Sequence, residues 1–170
     1  MVLLLIGMKK VYTAKGDDGT TADYAGNKVS KDDLIIVTNG KIDCFQSALD
    51  MALLLVNEEY KDFLNKVQGK MWQIAGEVAN CPGECLIDPV TSQDLEDLEK
   101  YIDILGEPPK KFVRFNTQES IWFNECRVRC RELETCLVKL FKDDKLRHEI
   151  YRYVNRLSSL FFMLGYKYSK

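Results

Sequence analysis

The sequence contains a single histidine, His148, and this scarcity excludes one common kind of helical metalloprotein. Ferritin-like bundles that hold two metal ions use Glu-x-x-His pairs. The residue three positions before His148 is Lys145, so the chain lacks this motif. His148 lies between Arg147 and Glu149, which is typical of a solvated surface position. We therefore expect neither a di-iron centre nor a catalytic role for this histidine.

The chain also lacks a long apolar run and an excess of charge of one sign. A helix needs about 20 apolar residues to cross a bilayer, and no segment approaches that length. The formal net charge of −2 provides no general attraction to nucleic acid or to an anionic membrane surface. The opening "MVLLLIG" is short for the core of a signal peptide, and Lys9 and Lys10 follow it instead of preceding it. We expect a cytoplasmic protein that binds neither nucleic acid nor membranes.

Six cysteines are present, without the export signal that accompanies most disulfide frameworks. They are Cys44, Cys81, Cys85, Cys126, Cys130 and Cys136. Buried free thiols are the expected state, because free cysteine is among the most buried residue types. The pairs Cys81/Cys85 and Cys126/Cys130 leave a soft-metal site open, although neither has the spacing of a zinc ribbon.

Apolar residues recur at helical spacing through most of the chain after residue 40. One stripe comprises Tyr60, Leu64, Val67, Met71, Ile74 and Val78, and another Trp122, Cys126, Cys130, Leu133, Leu137 and Leu140. Breaks come at "NCPGEC" and "GEPPKK", and Thr91 followed by Asp94 marks a helix start. We predict a single domain over 1–170. It comprises a non-helical leader at 8–40 and an all-α bundle of five helices at 41–170, related to ferritin-like and four-helix bundles.

The leader opens with "YTAKGDDGTT" at residues 12–21, a stretch rich in glycine and in hydrogen-bonding side chains. Glycines allow the backbone to present N–H groups to an anion, while hydroxyls and a lysine add donors and charge. The stretch matches neither the Walker A loop nor the G-x-G-x-x-G fingerprint. By itself it is equally consistent with an ordinary turn and with an anion site.

A second polar group is predicted where two helices meet. Arg127, Arg131 and Glu134 share one helix face, because their spacing is i, i+4 and i+7. Asn155 lies in an apolar part of the last helix, and the short "KDDK" link makes the two helices antiparallel neighbours. Guanidinium groups offer forked donors suited to phosphates. The alternative is a solvated charged stripe.

Together these segments resemble one family. "VYTAKGDDGTT", "KVSKDD", "GKIDCFQSALDMA", "KKF", "RVRCRELE" and "YVNRLSSLFF" follow the order and spacing of the ATP:corrinoid adenosyltransferases of the propanediol-utilisation type. The resemblance extends from Lys10 to Tyr168. It implies a homotrimer with active sites between subunits, which transfers the 5′-deoxyadenosyl group of ATP to the cobalt of reduced cobalamin and releases triphosphate. It also suggests a reductase and an adenosylcobalamin-dependent enzyme as partners.

The resemblance further implies roles for individual residues. Catalytic roles fall to Arg131, Phe112, Asp43 and Arg127. Contacts with ATP fall to Thr13, Lys15, Gly16, Asp17, Gly19, Thr20, Thr21, Lys28, Lys31, Arg131, Glu134 and Asn155. Glu134 would also hold Mg²⁺, and Phe112 would pack beneath the corrin ring. Asp43 and Arg127 would form a salt bridge between subunits.

The chain departs from the family pattern at several positions. Glu132 and Thr135 stand where the family commonly has arginines, and "VRFNT" follows Phe112 in place of "LPGG". The spellings "RELET" and "NRLSS" are closer to the ethanolamine-utilisation branch, which uses cysteines for a metal site. These differences keep two alternatives open. One is a corrinoid carrier or escort of the same fold with weak or no turnover, and the other is a purely structural helical bundle.

Overall fold

Five α-helices account for most of the computed structural model, which describes residues 12, 14–143 and 146–169. The helices are α1 (Leu34–Leu55), α2 (Glu58–Val78), α3 (Ser92–Ile104), α4 (Gln118–Lys142) and α5 (His148–Tyr168). The predicted all-α bundle of five helices is confirmed. Within the described ranges, none of these helices is both long and apolar enough to cross a membrane.

Two three-residue strands precede the helices and form an antiparallel hairpin. They are β1 (Thr20–Ala22) and β2 (Lys28–Ser30), and Thr20 lies opposite Ser30 in their register. A single 3₁₀ turn at Gly83–Cys85 follows α2. The hairpin lies within the leader, and it carries several of the residues predicted to bind phosphate.

Helix α1 begins at Leu34, within the segment that we expected to be non-helical. The carboxylate of Asp33 caps the helix by accepting a hydrogen bond of 2.9 Å from the backbone N–H of Ile35. The side chains of Leu34 and Ile35 then pack against the core. The leader therefore ends at Asp33, and residues 34–40 belong to the bundle.

The core is centred on α4, which packs against α1 on one side and α5 on the other. Helix α2 packs against α1, and α3 packs against α5. Phe45, Phe123 and Phe161 are fully buried, and the rings of Phe45 and Phe161 meet edge to face at 5.5 Å. Burying each such ring contributes about 1.5–3 kcal/mol. Phe123 takes the core position that the sequence assigned to Trp122, which is only partly buried.

The cysteines differ from expectation in the loop after α2. Cys81 and Cys85 form a disulfide, because the Pro-Gly turn between them brings their Cα atoms to 6.2 Å. Cys126 and Cys130 are buried free thiols as expected, and burial raises the pKa of both. Cys44 is free but exposed. Among the described residues, no three His, Cys, Asp or Glu side chains are grouped to hold a metal ion.

Candidate functional site

The leader hairpin folds around the carboxylate of Asp18. This carboxylate accepts hydrogen bonds from the backbone N–H of Thr20 at 3.0 Å and from its hydroxyl at 2.6 Å. It also pairs with the ammonium group of Lys28 at 2.9 Å. The Thr20 hydrogen bond, followed by that of Lys28, lowers the pKa of Asp18. Lys28 is thus paired within the hairpin, with a carboxylate that the sequence analysis did not single out.

Gly16 is required by a close approach within the same turn. The ammonium group of Lys31 donates a hydrogen bond of 2.6 Å to the carbonyl oxygen of Gly16. A Cβ atom at position 16 would lie 3.0 Å from that nitrogen and 3.1 Å from the carbonyl oxygen of Thr20. Gly19 has a φ of +79°, in the left-handed region that favours glycine. Both glycines therefore determine the shape of the turn.

Most leader residues that the resemblance implicates lie together in this hairpin. Thr20, Thr21 and Lys28 lie in its two strands. The turn directly before β1 contains Lys15, Gly16, Asp17 and Gly19, and Lys31 directly follows β2. Thr13 falls outside the described residues. The hairpin therefore brings together hydroxyls, backbone N–H groups and lysines, which are the groups that a phosphate chain requires.

The hairpin is anchored to the end of α2. The backbone N–H of Tyr24 donates to the carbonyl oxygen of Ala79 at 3.0 Å, and the side-chain amide of Asn80 donates to Asp23 at 3.1 Å. Asp23 is only 8% exposed and also accepts a hydrogen bond of 2.8 Å from the N–H of Asn27. Hydrogen bonds from Asn27 and then Asn80 lower the pKa of Asp23. The leader is therefore fixed beside the Cys81–Cys85 loop.

The two arginines of α4 that the sequence analysis assigned to the site line a cavity between α3, α4 and α5. The cavity has a volume of about 420 Å³, and Arg127 and Arg131 line it together with Ser158, Ser159 and Phe162. Arg131 is exposed, and its guanidinium has no hydrogen bond or ion pair with any other described residue. This guanidinium is therefore available to an anion.

Glu134 and Asn155 meet across α4 and α5, as their positions predict. The side-chain amide of Asn155 donates to Glu134 Oε1 at 2.5 Å, and its oxygen accepts from Arg156 Nη1 at 3.0 Å. Arg156 in turn pairs with Glu99 of α3 at 2.8 Å. Three helices thus hold the Asn155 amide in one orientation, and the second carboxylate oxygen of Glu134 accepts no hydrogen bond from another described residue.

Asp43 and Arg127 do not meet within one chain. Asp43 is exposed on α1 and has no ion pair among the described residues. Arg127 Nε instead donates to Asn124 Oδ1 at 3.0 Å. Since the resemblance implies a pair between subunits, the separation of the two residues in a single chain does not test it.

Glu132, which stands where the family commonly has an arginine, belongs to an ion cluster between α1 and α4. Glu132 pairs with Lys41 at 2.9 Å and with Arg129 at 3.3 Å. The hydrogen bond from Lys41 is the main cause of the lowered pKa of Glu132. Thr135, at the second replaced position, donates its hydroxyl to the carbonyl oxygen of Arg131 at 3.0 Å. Both replacements are therefore satisfied within the chain.

Phe112 lies in the loop between α3 and α4 and is 100% exposed. Leaving a phenyl ring in water, instead of burying it, loses about 1.5–3 kcal/mol of stabilising free energy. The ring borders a cavity of about 460 Å³ that is formed by the loop and the end of α5. Such a ring is suited to packing against a large apolar surface outside the chain.

The candidate phosphate ligands form two groups within a single chain. The hairpin is attached to the end of α2, whereas the cavity of Arg131 is lined by α3, α4, α5 and the loop after α3. None of the leader residues that the structure describes is among those lining this cavity. A ligand that contacts both groups therefore requires either a second chain or a movement of the leader.

Comparisons with known proteins cover nearly the whole chain. The model of a family described as cobalamin adenosyltransferase matches residues 11–168. A corrinoid adenosyltransferase from Citrobacter freundii is 29% identical over 93% of this chain and 94% of its own length. A cobalamin adenosyltransferase from Cupriavidus metallidurans is 29% identical over 93% of this chain and 87% of its own.

The fold is also similar to that of solved structures. A variant of a PduO-type ATP:corrinoid adenosyltransferase from Lactobacillus reuteri, complexed with cobalamin and ATP, superposes with a TM-score of 0.82. That chain is 22% identical, and the match covers 94% of this chain and 93% of the other. At this identity the likeness concerns the fold.

Proposed function

This chain belongs to the cobalamin adenosyltransferase family, and we propose that it transfers the 5′-deoxyadenosyl group of ATP to the cobalt of a reduced corrinoid. In this reaction cobalt(I) is the nucleophile and attacks C5′ of the ribose. A Co–C bond forms while the C5′–O bond breaks, and triphosphate leaves with the electron pair. The protein needs no side-chain nucleophile or general base, and its work is positioning and electrostatic stabilisation.

The single observation that carries this proposal is the uncommitted guanidinium of Arg131 beside the Glu134–Asn155 pair. Negative charge accumulates on the leaving triphosphate, and a preorganised cation next to it stabilises the transition state. Arg131 is free to form this contact because Glu132, its neighbour in sequence, is held by Lys41 and Arg129. Asn155, fixed in orientation by its hydrogen bonds, would orient the nucleotide.

The leader hairpin would supply the second group of phosphate ligands. Its turn contains Gly16 and Gly19, and Lys28 and Lys31 lie at its surface. We assign the hairpin of one subunit and Arg131 of its neighbour in a homotrimer to one ATP site. This arrangement is supported by the separation of the two groups within one chain. Asp43 of one subunit and Arg127 of the next would then form the salt bridge that the resemblance implies.

Mg²⁺ would be held mainly by the phosphates of ATP, with Glu134 as its protein ligand. Magnesium commonly takes one or two carboxylates together with substrate phosphates, so a site without a cluster of acidic residues fits it. One oxygen of Glu134 accepts from Asn155, and the other is left to the ion. The ion would offset the charge of the phosphates.

Phe112 would pack beneath the corrin ring and exclude the lower ligand of cobalt. Loss of that ligand makes cobalt easier to reduce to the nucleophilic state. The full exposure of the ring supports this role, because no described residue of its own chain covers it. A reductase and an adenosylcobalamin-dependent enzyme would be the partners of this activity, and a cytoplasmic location stays a prediction.

The transfer assay with chemically reduced cobalamin and ATP tests the function directly. We expect conversion to adenosylcobalamin, followed by its absorption spectrum, and a loss of about 100-fold in kcat/KM for Arg131→Ala. Arg152→Ala is the matched control, since Arg152 is an exposed arginine on the adjacent helix α5 that lines no part of the Arg131 cavity. An unchanged rate for Arg131→Ala would remove the phosphate role of this residue.

A corrinoid carrier is the second candidate, and the presence of Glu132 and Thr135 at positions where the family commonly has arginines favours it. The carrier would bind corrinoid without turnover in the same assay. Binding measured by equilibrium dialysis, together with an absence of product, would support the carrier over the enzyme.

A further inference from the structure

A cluster of uncommitted cations surrounds Phe112. Lys110, Lys111 and Arg114 line the same 460 Å³ cavity as Phe112, and no carboxylate side chain is among the described residues that line it. All three side chains are exposed. None of them forms an ion pair or hydrogen bond with another described residue. The cavity therefore combines an exposed aromatic ring with three unneutralised positive charges.

Several other cations on the surface of the protein are paired with carboxylates. Lys28 pairs with Asp18, Lys41 with Glu132 and Lys70 with Asp88, each within 3 Å. Like charges placed close together repel each other, by about 1 kcal/mol at 4 Å in water. In a chain of net charge −2, three cations within five residues that no described carboxylate neutralises favour an external anion as the partner.

We propose that Lys110, Lys111 and Arg114 bind the phosphodiester in the tail of the corrinoid substrate. This inference rests on the proposed function and on the position of Phe112. In cobalamin, one phosphodiester joins the ring to the lower base. If Phe112 occupies the lower face of the ring, the base and its tail are displaced toward the surroundings of Phe112, which is where these cations lie.

Binding the tail would also oppose its return to cobalt. The displaced base stays tethered to the ring, so its effective concentration at the metal is high. A charge-assisted contact with the phosphodiester holds the tail away from the lower face. The protein should therefore bind corrinoids that carry the tail more tightly than cobinamide, which lacks it.

The test compares two corrinoids and ATP as substrates of one charge-neutralised variant. The variant is Lys110→Gln/Lys111→Gln/Arg114→Gln, and the matched control is Lys110→Arg/Lys111→Arg/Arg114→Lys, which keeps all three charges. We expect the neutralised variant to raise the KM for cobalamin about tenfold, and to leave the KM for cobinamide and for ATP within about twofold. The control should resemble the unaltered protein.

Each other outcome overturns the inference. An equal rise in KM for both corrinoids would assign the cations to the ring or to the fold, and a rise in KM for ATP would assign them to the triphosphate. Unchanged constants would show that the cations bind neither. If the unaltered protein turns over neither corrinoid, the proposed function fails, and the preference for cobalamin over cobinamide is then measured by equilibrium dialysis.

Salt provides a measurement that needs no substitution. Screening weakens contacts between exposed charges, since the Debye length falls from about 10 Å at 0.1 M to about 3 Å at 1 M. We expect added KCl to weaken the dialysis affinity for cobalamin and to leave that for cobinamide unchanged. Equal salt dependence of the two affinities would contradict the inference.

Discussion

The leader hairpin and the α3–α4 loop are both exposed and rich in cations, but their charges are arranged differently. In the hairpin, Lys28 pairs with Asp18 and Lys31 donates to the carbonyl oxygen of Gly16. In the loop, Lys110 and Lys111 have no such partner among the described residues. The hairpin thus uses its lysines to hold its own shape, whereas the loop holds its cations ready for a ligand.

This difference indicates two ways of preparing a surface for an anion. In the hairpin, a ligand must replace the internal partners of the lysines. These internal contacts hold the backbone in place and limit the net charge of the surface. In the loop, the cations attract at longer range but provide little geometric selection. A triphosphate with defined geometry suits the first surface, and a flexible phosphodiester tail suits the second.

The largest expected effect comes from deforming the hairpin. Gly16→Ala would place a Cβ 3.1 Å from the backbone oxygen of Thr20 and 3.0 Å from Lys31 Nζ, so the turn or the Lys31 side chain must move by a few tenths of an ångström. We expect the KM for ATP to rise about tenfold, because small displacements of positioning groups are costly. Gly40→Ala is the control, since a Cβ there meets nothing within 4 Å. A KM for ATP equal in both variants would contradict a contact between the hairpin and the nucleotide.

A smaller effect of opposite sign is expected at Asp18. Asp18→Asn keeps an oxygen for the Thr20 donors but frees Lys28 from its ion pair. If Lys28 transfers to a phosphate, the KM for ATP should fall about threefold, in the range of one exposed ion pair. Asp62→Asn, at an exposed carboxylate of α2, controls for the change in net charge. A higher KM for ATP in Asp18→Asn would show that the ion pair itself supports binding.

The smallest effect is a loosening of the hairpin in acid that the loop does not share. The pKa values of Asp18 and Asp23 are lowered from 3.8, so both carboxylates stabilise the folded hairpin above that pH. Their contribution is lost as the pH falls through the lower folded values. Hydrogen exchange of the Asn27 amide should therefore become less protected below about pH 4.

Asp23→Asn is the matched variant for the acid measurement, since it removes the titrating group and keeps an acceptor for Asn27. In this variant the acid-dependent part of the loss in protection should shrink. An identical pH profile in the two proteins would place the acid sensitivity elsewhere in the bundle.

Local patterns predicted the helices well and their boundaries less well. The stripe from Tyr60 to Val78 is buried along α2, and Thr91 and Asp94 form the capping box at the start of α3. The start of α1 at Leu34 was missed, because the Asp33 cap lies within a polar segment that reads as leader. Trp122 was assigned to the core although Phe123 occupies it, since adjacent aromatic residues differ by one step around the helix.

The pairings within the candidate site were less predictable. The meeting of Glu134 with Asn155 followed from helix periodicity and a short link. The partners Asp18 and Lys41 had no signal in the sequence, because an ion pair between distant residues depends on how the elements pack. The Cys81–Cys85 disulfide was likewise missed, since a general argument from export signals outweighed the local turn that brings the two residues together.

The sequence by itself determined an all-α bundle, the residue types of an anion site and a resemblance to one family, since apolar periodicity and motif order are local properties of a chain. Only the tertiary structure decided that the leader docks on the end of α2, that Arg131 lines a separate cavity and that the cations around Phe112 have no ion-pair partner among the described residues. The physical reason is that docking and neutralisation depend on which surfaces approach each other through space. That approach is set by packing of the whole bundle, to which residues far apart in the chain contribute together.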